Sequence, residues 1–286
     1  MNVEGNLMTQ WSGKTWLVTG ANVGFGRAVC EEVLARGGRV IATARNPDAL
    51  AGLVAKFPGR ALAHPLDVTK PDQIAAAVQA AADFGGVDVL VNNAGYGFLG
   101  GVEESDDADI RAMFEVNFFG AAAMMRAVLP GMRAKGAGYV INVSSIAGIF
   151  GGPAGGYYSG TKFGLEGLSE SLAMEGEPLG IRVLIMELGA FRTDFFGRSM
   201  VKPKKRVSAY TRVDQTYKYA AAYDGKQPGD PARAAAIMLD ALDSASPPRR
   251  LVLGQESHAV VTGALRSRLE EAESQRELAL KACYPP

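Results

Sequence analysis

Apolar residues along this chain alternate between short runs of strand length and longer segments with helical spacing. The short runs are Thr15–Thr19, Arg39–Ala44, Arg60–Leu66, Val87–Val91, Tyr139–Val143, Ile181–Glu187 and Arg250–Leu253. The helical segments are Gly24–Arg36, Asp48–Lys56, Lys70–Phe84, Asp107–Ala134, Tyr157–Glu177, one that starts at Asp230-Pro231 and one that ends near Leu280. Continuously apolar strands are typical of parallel sheets covered on both faces. The alternation therefore predicts an α/β fold with a doubly wound parallel sheet of about seven strands.

This pattern predicts one large domain over residues 13–286, preceded by a flexible extension over residues 1–12. The first residues lack the basic-then-apolar pattern of a signal peptide. A long segment, about residues 190–228, separates the sixth strand from the next helix. Loops of this length often cover an active site, so we interpret this segment as a lid.

Composition excludes several classes of function. The 286 residues are 48% apolar and carry a formal net charge of zero, so neither nucleic acid nor an anionic membrane is an expected partner. No apolar stretch approaches the roughly 20 residues of a membrane span. Two histidines make a metal site improbable, and two distant cysteines, Cys30 and Cys283, favour a reducing compartment, here the cytoplasm.

Tyr158 and Lys162 form the most informative pair in the chain. They are four residues apart on a predicted helix and therefore share one face. A phenol has a pKa near 10, and a neighbouring cation lowers it because the cation favours the phenolate. A drop of roughly 3 pH units needs about 4 kcal/mol. The pair alone is weak evidence, because such neighbours are usually a solvated helix face.

A glycine-rich turn joins the first strand to the first helix. Glycines permit a sharp turn and a close approach of phosphate, and the helix N-terminus offers free N–H groups. The strand before the turn and the helix after it strengthen the interpretation as a dinucleotide site. The residues of the turn assigned to the cofactor are Gly20, Asn22, Val23, Gly24, Phe25 and Gly26.

The end of the second strand indicates which dinucleotide binds. NAD sites usually carry an acid there, whereas this chain has Thr43-Ala44-Arg45. Arginine pairs well with a 2′-phosphate, so we predict NADP(H). The alternative is that Arg45 is a surface cation and the site accepts either cofactor.

Two further strand ends complete the predicted nucleotide site. Asp67-Val68 is placed to contact the adenine, although Asp67 is nearly as well explained as a helix-entry residue before a cap at Thr69. Asn93, Ala94 and Gly95 follow the fourth strand, where small residues permit approach to a ribose and the amide can join two loops.

In order along the chain, Thr19–Gly26, Asn92–Gly95, Asn117, Ser145 and Tyr158-xxx-Lys162 resemble the short-chain dehydrogenase/reductase superfamily. The resemblance runs from about residue 12 to 200 and implies a Rossmann-type fold. The region from Gly229 onward is similar to the retinol- and hydroxysteroid-dehydrogenase-like reductases of that superfamily.

The resemblance implies a role for each matching residue. Tyr158 would be the general acid/base, and Lys162 would lower its pKa and hold the nicotinamide ribose. Ser145, which lies 13 residues before Tyr158, would hydrogen-bond the substrate oxygen, although the adjacent Ser144 makes this register depend on spacing alone. Asn117 would order a water that links Lys162 to solvent.

The segment after the sixth strand departs from the family pattern. The resemblance implies Pro-Gly there, and this chain has Leu188-Gly189. Leucine restores a backbone N–H and loosens φ, which would shift the nicotinamide slightly. Gly189 and Thr193 still match cofactor-binding positions.

Aromatic residues in the lid and in neighbouring loops suggest an apolar substrate pocket. Each one taken singly is better explained by packing. Together they indicate a small hydrophobic ketone, aldehyde or alcohol as substrate. The residues assigned to it, besides Ser145 and Tyr158, are Tyr96, Ile149, Phe150, Phe191 and Phe195.

The leading hypothesis is an NADP(H)-dependent oxidoreductase. The alternatives are an epimerase or dehydratase that retains its cofactor, and a non-catalytic dinucleotide-binding protein, which typically loses the tyrosine or the lysine. The resemblance also implies a homodimer or homotetramer formed through the helices at Asp107–Ala134 and Tyr157–Glu177.

Overall fold

The structure is a computed structural model that describes residues 10–197, 199–282 and 284. The strands are β1 Thr15–Val18, β2 Arg39–Ala44, β3 Ala61–Pro65, β4 Val89–Asn92, β5 Gly97–Phe98, β6 Gly138–Val143, β7 Ile181–Leu188, β8 Met200–Val201 and β9 Arg250–Leu253. The α-helices are α1 Gly24–Ala35, α2 Ala51–Lys56, α3 Pro71–Asp83, α4 Asp107–Phe114, α5 Ala121–Lys135, α6 Gly156–Gly176, α7 Thr211–Tyr223, α8 Pro231–Asp243, α9 Ser257–Ser274 and α10 Arg276–Leu280.

Seven of the strands form one parallel sheet in the order β3-β2-β1-β4-β6-β7-β9. The order reverses between β1 and β4, so a crevice opens there at the carboxyl ends of the strands. The doubly wound parallel sheet predicted from the sequence is confirmed. The short strands β5 and β8 pair with each other apart from the main sheet.

Helices cover both faces of the sheet because the strands are apolar on both sides. One core forms between the sheet and helices α1, α2 and α8, with Trp16, Val29 and Met238 completely buried. The other core forms against α3, α5 and α6, with Leu17, Met124 and Ile185 completely buried. These two layers fix the strand ends that carry the candidate site.

The N-terminal boundary differs from the prediction. Trp11 is buried, and its ring packs edge-to-face on Trp16 at 5.1 Å and on Tyr139 at 6.2 Å between centroids. The folded part therefore begins before residue 13, and residues 1–9 lie outside the described residues. An isolated tryptophan carried no periodic signal from which its burial could be predicted.

The helix predicted over Asp107–Ala134 runs from residue 107 to 135 but contains a wider π-helical turn at Glu115–Gly120. Pro130 lies inside α5, which continues beyond it. By length and composition this helix is apolar enough to cross a membrane, since an 18-residue window within it has a mean hydropathy of 1.3; this feature was not predicted from the sequence. This is weak evidence for a membrane span, since buried core helices pass the same test and α5 packs on α3, β4 and β6.

The beginning of α3 also differs from the prediction. The N-cap residue is Lys70, and the Thr69 hydroxyl instead donates to Asp67 Oδ1 at 2.8 Å. Gln73 Oε1 accepts from the Asp67 N–H at 2.7 Å. Thr69 therefore stabilises the preceding turn and does not cap the helix.

The lid, residues 190–228, contains an unpredicted helix, α7. It also contains β8, which pairs with β5 through hydrogen bonds from Gly97 N to Ser199 O (3.1 Å) and from Leu99 N to Val201 O (3.0 Å). The lid thus packs over the carboxyl ends of the strands.

Candidate active site

A cavity of about 1380 Å³ lies at the carboxyl ends of the central strands. Its walls come from the turns after β1, β2, β3, β4, β6 and β7, from the start of α6 and α9, and from the lid. Residues predicted to bind the cofactor and residues predicted to bind the substrate therefore share one cavity.

The glycine turn at one end of this cavity has the geometry of a phosphate cradle. Gly20 has φ of +66°, which favours glycine. A Cβ on Gly26 would lie 2.3 Å from Asn93 Nδ2 and 2.7 Å from Gly20 O, so a side chain there would collide with the loop after β4. No side chain among the described residues caps α1, and its first turn has no acidic residue, so its N–H groups and dipole face the cavity.

Asn93 joins the turns after β1 and β4. Its Nδ2 donates to Thr19 O at 2.9 Å and to Gly20 O at 3.0 Å. The main-chain N–H groups of Asn93 and Ala94 donate to Thr19 Oγ1 at 3.0 and 2.9 Å. The residues expected near the ribose are thereby held against the phosphate cradle, and Ala94 and Gly95 line the cavity.

Arg45 and Asp67 lie at the same end of the cavity, and Lys70, which sequence reasoning missed, lines it with them. Burial acts to raise the pKa of Asp67, but hydrogen bonds from Thr69 and the charges of Lys70 and Arg45 outweigh it and lower that pKa. Val68 is buried and also lines the cavity. The region thus offers two cations beside one carboxylate.

Tyr158, Lys162 and Ser145 meet at the other end. The Lys162 Nζ lies 5.8 Å from the centroid of the Tyr158 ring and donates to Val143 O at 2.9 Å. The Ser145 hydroxyl accepts from Ala147 N–H at 3.1 Å and donates to Leu188 O at 3.3 Å. All three side chains line the cavity.

The pKa values of this pair differ from the expectation. Burial raises the pKa of Tyr158 above its usual range, and a hydrogen bond with the Ser145 side chain opposes this only in part. Burial also lowers the pKa of Lys162 to about 8, although the charge of Glu166 acts to raise it. The protein's own groups thus keep Tyr158 in its neutral form, because desolvation of the phenolate outweighs the contribution of Ser145.

Ser145 and Tyr158 each have a neighbour of the same residue type, Ser144 and Tyr157, and the structure gives the surroundings of all four. Ser144 is buried with its Oγ turned toward the Glu166 side, whereas the Ser145 hydroxyl is the one that acts to lower the pKa of Tyr158. Tyr157 donates from its hydroxyl to Val102 O at 3.2 Å and does not line the cavity. Tyr158 is therefore the tyrosine that faces a ligand, and of the two serines, which both line the cavity, Ser145 is the one that acts on it.

Asn117 has a different environment from the one expected. It lies in the π-helical turn, is buried, and does not line the cavity. Its Oδ1 accepts from Tyr96 N–H at 3.0 Å and its Nδ2 donates to Tyr96 O at 2.9 Å. The Asn117 amide thus fixes the loop after β4, and the ordered water expected beside it stays a prediction.

The segment after β7 lies beside the glycine turn. Leu188, which replaces the expected proline, pairs with Leu253 in the sheet. A Cβ on Gly189 would lie 2.0 Å from Ser257 Oγ, so this glycine is required for the close approach of α9. A Cβ on Gly24 would lie 3.2 Å from the Thr193 side chain, and Thr193 lines the cavity with Gly189.

Aromatic and apolar side chains form the substrate end of the cavity. Phe195 packs edge-to-face on Tyr158 at 5.6 Å between centroids. The other lining residues of this kind are Tyr96, Phe98, Leu99, Phe150, Phe191, Phe196, Met200, Val201, Tyr219 and Tyr223. Ile149 is a correction, because it is buried and does not line the cavity. It follows the short 3-10 turn after Ser145, and alternation along the chain does not apply in such a turn.

Glu104 supports the lid and was not predicted from the sequence. Its carboxylate is almost completely buried and accepts hydrogen bonds from Gly101 N (3.1 Å), Val207 N (2.9 Å) and Tyr217 OH (3.4 Å). The Arg206 guanidinium lies 3.6 Å from Glu104 Oε1 and stacks on the Tyr217 ring at the same distance. An acidic residue beside other acids in a loop gave no signal of this burial.

Among residues 10–197, 199–282 and 284, no three histidine, cysteine, aspartate or glutamate side chains are grouped as metal ligands. The cavity offers instead a phosphate cradle, a pair of cations, and a hydroxyl–phenol–ammonium group. This set fits a dinucleotide.

Comparison with known proteins agrees with this geometry. The profile of the short chain dehydrogenase family matches residues 14–203. The chain belongs to the short-chain dehydrogenase family.

This short-chain dehydrogenase is similar to Oxidoreductase BOA17 of Botryotinia fuckeliana (strain B05.10), with 36% identity over 270 residues that cover 93% of this chain and 98% of the relative. It is also similar to a crystal structure of a short-chain dehydrogenase from Streptomyces avermitilis. That comparison has a TM-score of 0.88 and 43% identity, and covers 96% of this chain and all of the other.

Structural neighbours were solved with either NAD or NADP. The short-chain dehydrogenase/reductase of Burkholderia phymatum was crystallised with NAD (TM-score 0.80, 26% identity, 94% of this chain and 97% of the other). The short-chain dehydrogenase of Burkholderia cenocepacia J2315 was crystallised with NADP (TM-score 0.71, 26% identity, 96% of this chain and 100% of the other).

Proposed function

We propose that this short-chain dehydrogenase is an NADP(H)-dependent oxidoreductase that interconverts a hydrophobic ketone or aldehyde and the corresponding alcohol. The observation that carries the proposal is that one cavity has the phosphate cradle and Arg45 at one end, and Tyr158 under an aromatic lid at the other. A dinucleotide that extends between the two ends brings its reactive ring beside the phenol.

Each protein group has a chemical task in this reaction. The nicotinamide, when bound, supplies or accepts the hydride at the substrate carbon. Tyr158 donates its proton to the substrate oxygen during reduction and accepts it during oxidation. Ser145 donates a hydrogen bond to that oxygen as negative charge develops on it. Lys162, when protonated, stabilises the phenolate that remains.

The electrostatics support reduction at neutral pH. Because burial raises the pKa of Tyr158, the phenol is protonated at pH 7, which is the form that donates to a developing alkoxide. The pKa of Lys162, about 8, lies above neutrality, so the side chain is mainly a cation at pH 7.

Arg45 and Lys70 support a preference for NADP(H) over NAD(H). Both line the cavity, and both lower the pKa of Asp67, which means that their charges act at the same place. A 2′-phosphate there would form charge-assisted hydrogen bonds with these cations. Asp67, the acid on which both cations act, already accepts from Thr69 N–H and Oγ1.

The shape and lining of the substrate end support a bulky apolar substrate. The lid residues Phe195, Phe196 and Tyr223 form a series of edge-to-face contacts that begins at Tyr158. Burial of an apolar molecule against such rings is favourable in proportion to the area removed from water.

The test is NADPH oxidation, followed at 340 nm, with a panel of bulky ketones and aldehydes. Tyr158→Phe removes the proton donor, and Tyr157→Phe is the matched control because that phenol donates to Val102 O outside the cavity. We expect turnover that prefers NADPH over NADH, is lost in Tyr158→Phe and persists in Tyr157→Phe.

Turnover that persists in Tyr158→Phe would contradict the assignment of the acid. Tight NADPH binding without turnover of any carbonyl would contradict the reductase proposal. That result would favour a reaction that retains the cofactor, or a binding role.

A further inference from the structure

A buried cluster of charged side chains lies one helical turn behind the catalytic lysine position. Glu166 on α6 and Glu187 on β7 have side chains that are 7% and 1% exposed. Both face Arg250 on β9, whose Nε lies 3.3 Å from Glu166 Oε2 and 3.2 Å from Glu187 Oε1. Two buried carboxylates therefore share one side of a single guanidinium.

The hydrogen bonds of this cluster are incomplete. Within the described part of the chain, neither oxygen of Glu187 has a hydrogen-bond partner, and Oε1 of Glu166 has none. The Nη2 of Arg250 is directed to Glu170, whose side chain is half exposed. A buried carboxylate with few donors is costly when it is ionised, and protonation of one member of a close pair reduces that cost.

Glu166 connects this cluster to the active site. It is four residues after Lys162 on α6, and its charge acts to raise the pKa of that lysine. Gly148 brings the loop after β6 against the same point, since a Cβ there would lie 2.7 Å from Ser144 Oγ and 3.2 Å from Glu166 Oε1. Ser144 precedes Ser145, so the cluster adjoins both catalytic elements.

We propose that Glu166 and Glu187 share one proton beside Arg250 at neutral pH, and that the negative charge left on Glu166 holds Lys162 in its cationic form. Glu166 is then a positioning residue for the Lys162–Tyr158 pair, and Glu187 sets how much charge Glu166 carries. The catalytic consequence rests on the proposed function, whereas the shared proton does not.

Burial of the two carboxyl groups away from water favours the shared proton. Burial raises the pKa of Glu187 to about 7, the charge of Glu166 adds to this, and Arg250 opposes it. Burial likewise raises the pKa of Glu166. Two carboxyl groups that interact in this way titrate as a pair.

The charged groups that face Glu166 come from three elements. Among the described residues they are Lys162 and Glu170 on α6, Glu187 on β7 and Arg250 on β9. The loop after β6 contributes the uncharged Ser144. In this set three carboxylates face two cations, so the fully ionised cluster carries excess negative charge. A shared proton reduces that excess.

Two measurements test the shared proton without any turnover. The first is the infrared band of a protonated carboxylic acid in protein labelled with ¹³C at the glutamate carboxyl groups. We expect this band in the wild type at pH 6, its loss as the pH rises toward 8, and its absence in both Glu166→Gln and Glu187→Gln. Glu170→Gln is the matched control, because it contacts the same arginine at the surface, and should keep the band.

The second measurement is the titration of Lys162, followed through its ¹³Cε resonance and assigned by the loss of that signal in Lys162→Met. Glu166→Gln removes the nearby negative charge and should lower the midpoint by about one pH unit. Near pH 8 the shared proton has already left the wild type, so Glu187→Gln leaves Glu166 ionised as before and should move the midpoint much less. A merely structural role would not distinguish the two isosteric variants in this way.

The pH profile of alcohol oxidation gives the catalytic readout. Oxidation needs the Tyr158 phenolate, so its acidic limb should move to higher pH in Glu166→Gln and much less in Glu187→Gln. A wild type without the infrared band at pH 6, or Lys162 midpoints that move equally in both variants, would overturn the proposal. Absence of carbonyl turnover would count against the proposed function alone, since the infrared and lysine measurements need no substrate.

Discussion

The carboxylate of Glu104 accepts a hydrogen bond from the main-chain N–H of Val207 at 2.9 Å, although 103 residues separate them in the chain. Glu104 lies in the loop after β5 and Val207 lies in the lid, so this hydrogen bond joins the lid to that loop. Because Glu104 is almost completely buried, the bond is shielded from water and is worth more than one at the surface.

Replacement of Glu104 should loosen the lid. Glu104→Gln removes the charge that faces Arg206 and one of the acceptors for Val207, Gly101 and Tyr217. We expect a loss of about 1–3 kcal/mol in the free energy of unfolding, and a rise in KM for bulky substrates. Denaturant unfolding and steady-state kinetics measure the two effects.

The neighbouring Glu103→Gln is the control, since that carboxylate accepts from the exposed Tyr210 hydroxyl. It should change neither quantity appreciably. Equal effects from both variants would show that general loop charge, and not the buried Glu104 contact, holds the lid.

Removal of the Arg45 cation should weaken NADPH binding selectively. A charge-assisted hydrogen bond contributes about 1.5–3 kcal/mol, so Arg45→Ala should raise the Kd for NADPH by about 10–100-fold and leave the Kd for NADH nearly unchanged. Fluorescence titration of the reduced cofactors gives both constants. Arg111→Ala, at an exposed ion pair on α4, serves as the control. A proportional loss for NADH and NADPH would contradict the 2′-phosphate contact.

A methyl group at Gly26 should disrupt the phosphate cradle. The added Cβ would lie 2.3 Å from Asn93 Nδ2 and 2.7 Å from the Gly20 carbonyl, so the turn must move. We expect Gly26→Ala to weaken NADPH binding by about tenfold or more, equivalent to about 1.4 kcal/mol.

Gly52→Ala is the matched control, because nothing lies within 4 Å of its added Cβ and it is inside α2. Alanine should stabilise that helix by roughly 0.5–1 kcal/mol and leave binding unchanged. Unaltered NADPH affinity in Gly26→Ala would show that the cradle tolerates a side chain.

Stability should depend on pH through Glu187. Its pKa of about 7 in the folded protein is above the ordinary value of 4.5, so the folded state retains a proton that the unfolded state has released. The contribution is fully present below pH 4.5 and is lost as the pH rises to about 7. Unfolding free energies of wild type and Glu187→Gln should therefore diverge over this window by on the order of 2 kcal/mol. Parallel curves would contradict the buried titration.

The features that could be predicted from the sequence are those that one local physical requirement determines. β2 begins and ends where the apolar run predicted, because a parallel strand buried on both faces requires an uninterrupted apolar run. The turn from Gly20 to Gly26 was likewise predictable, since its function demands small residues at fixed spacing.

Features that depend on distant contacts were not predictable. The π-helical turn at Glu115–Gly120 is set by packing around Asn117, whose amide bonds Tyr96. Helix α7 has a polar surface and gave no clear helical pattern, although Tyr217 anchors it through a hydrogen bond to Leu99 O. The raised pKa of Glu187 depends on its burial on β7 and on the charges of Glu166 on α6 and Arg250 on β9, which come together only in the folded chain.

The short pairing of β5 with β8 has a kinetic consequence. The hydrogen bonds from Gly97 to Ser199 and from Leu99 to Val201 hold the lid beside the cavity without including it in the seven-stranded sheet. The lid amides should therefore exchange with deuterium through local opening, at a lower free energy than the amides of β4 or β6. If that opening is also the slow step of turnover, release of the product, and not transfer of the hydride, sets kcat, and substitution of deuterium for the transferred hydrogen will leave kcat unchanged.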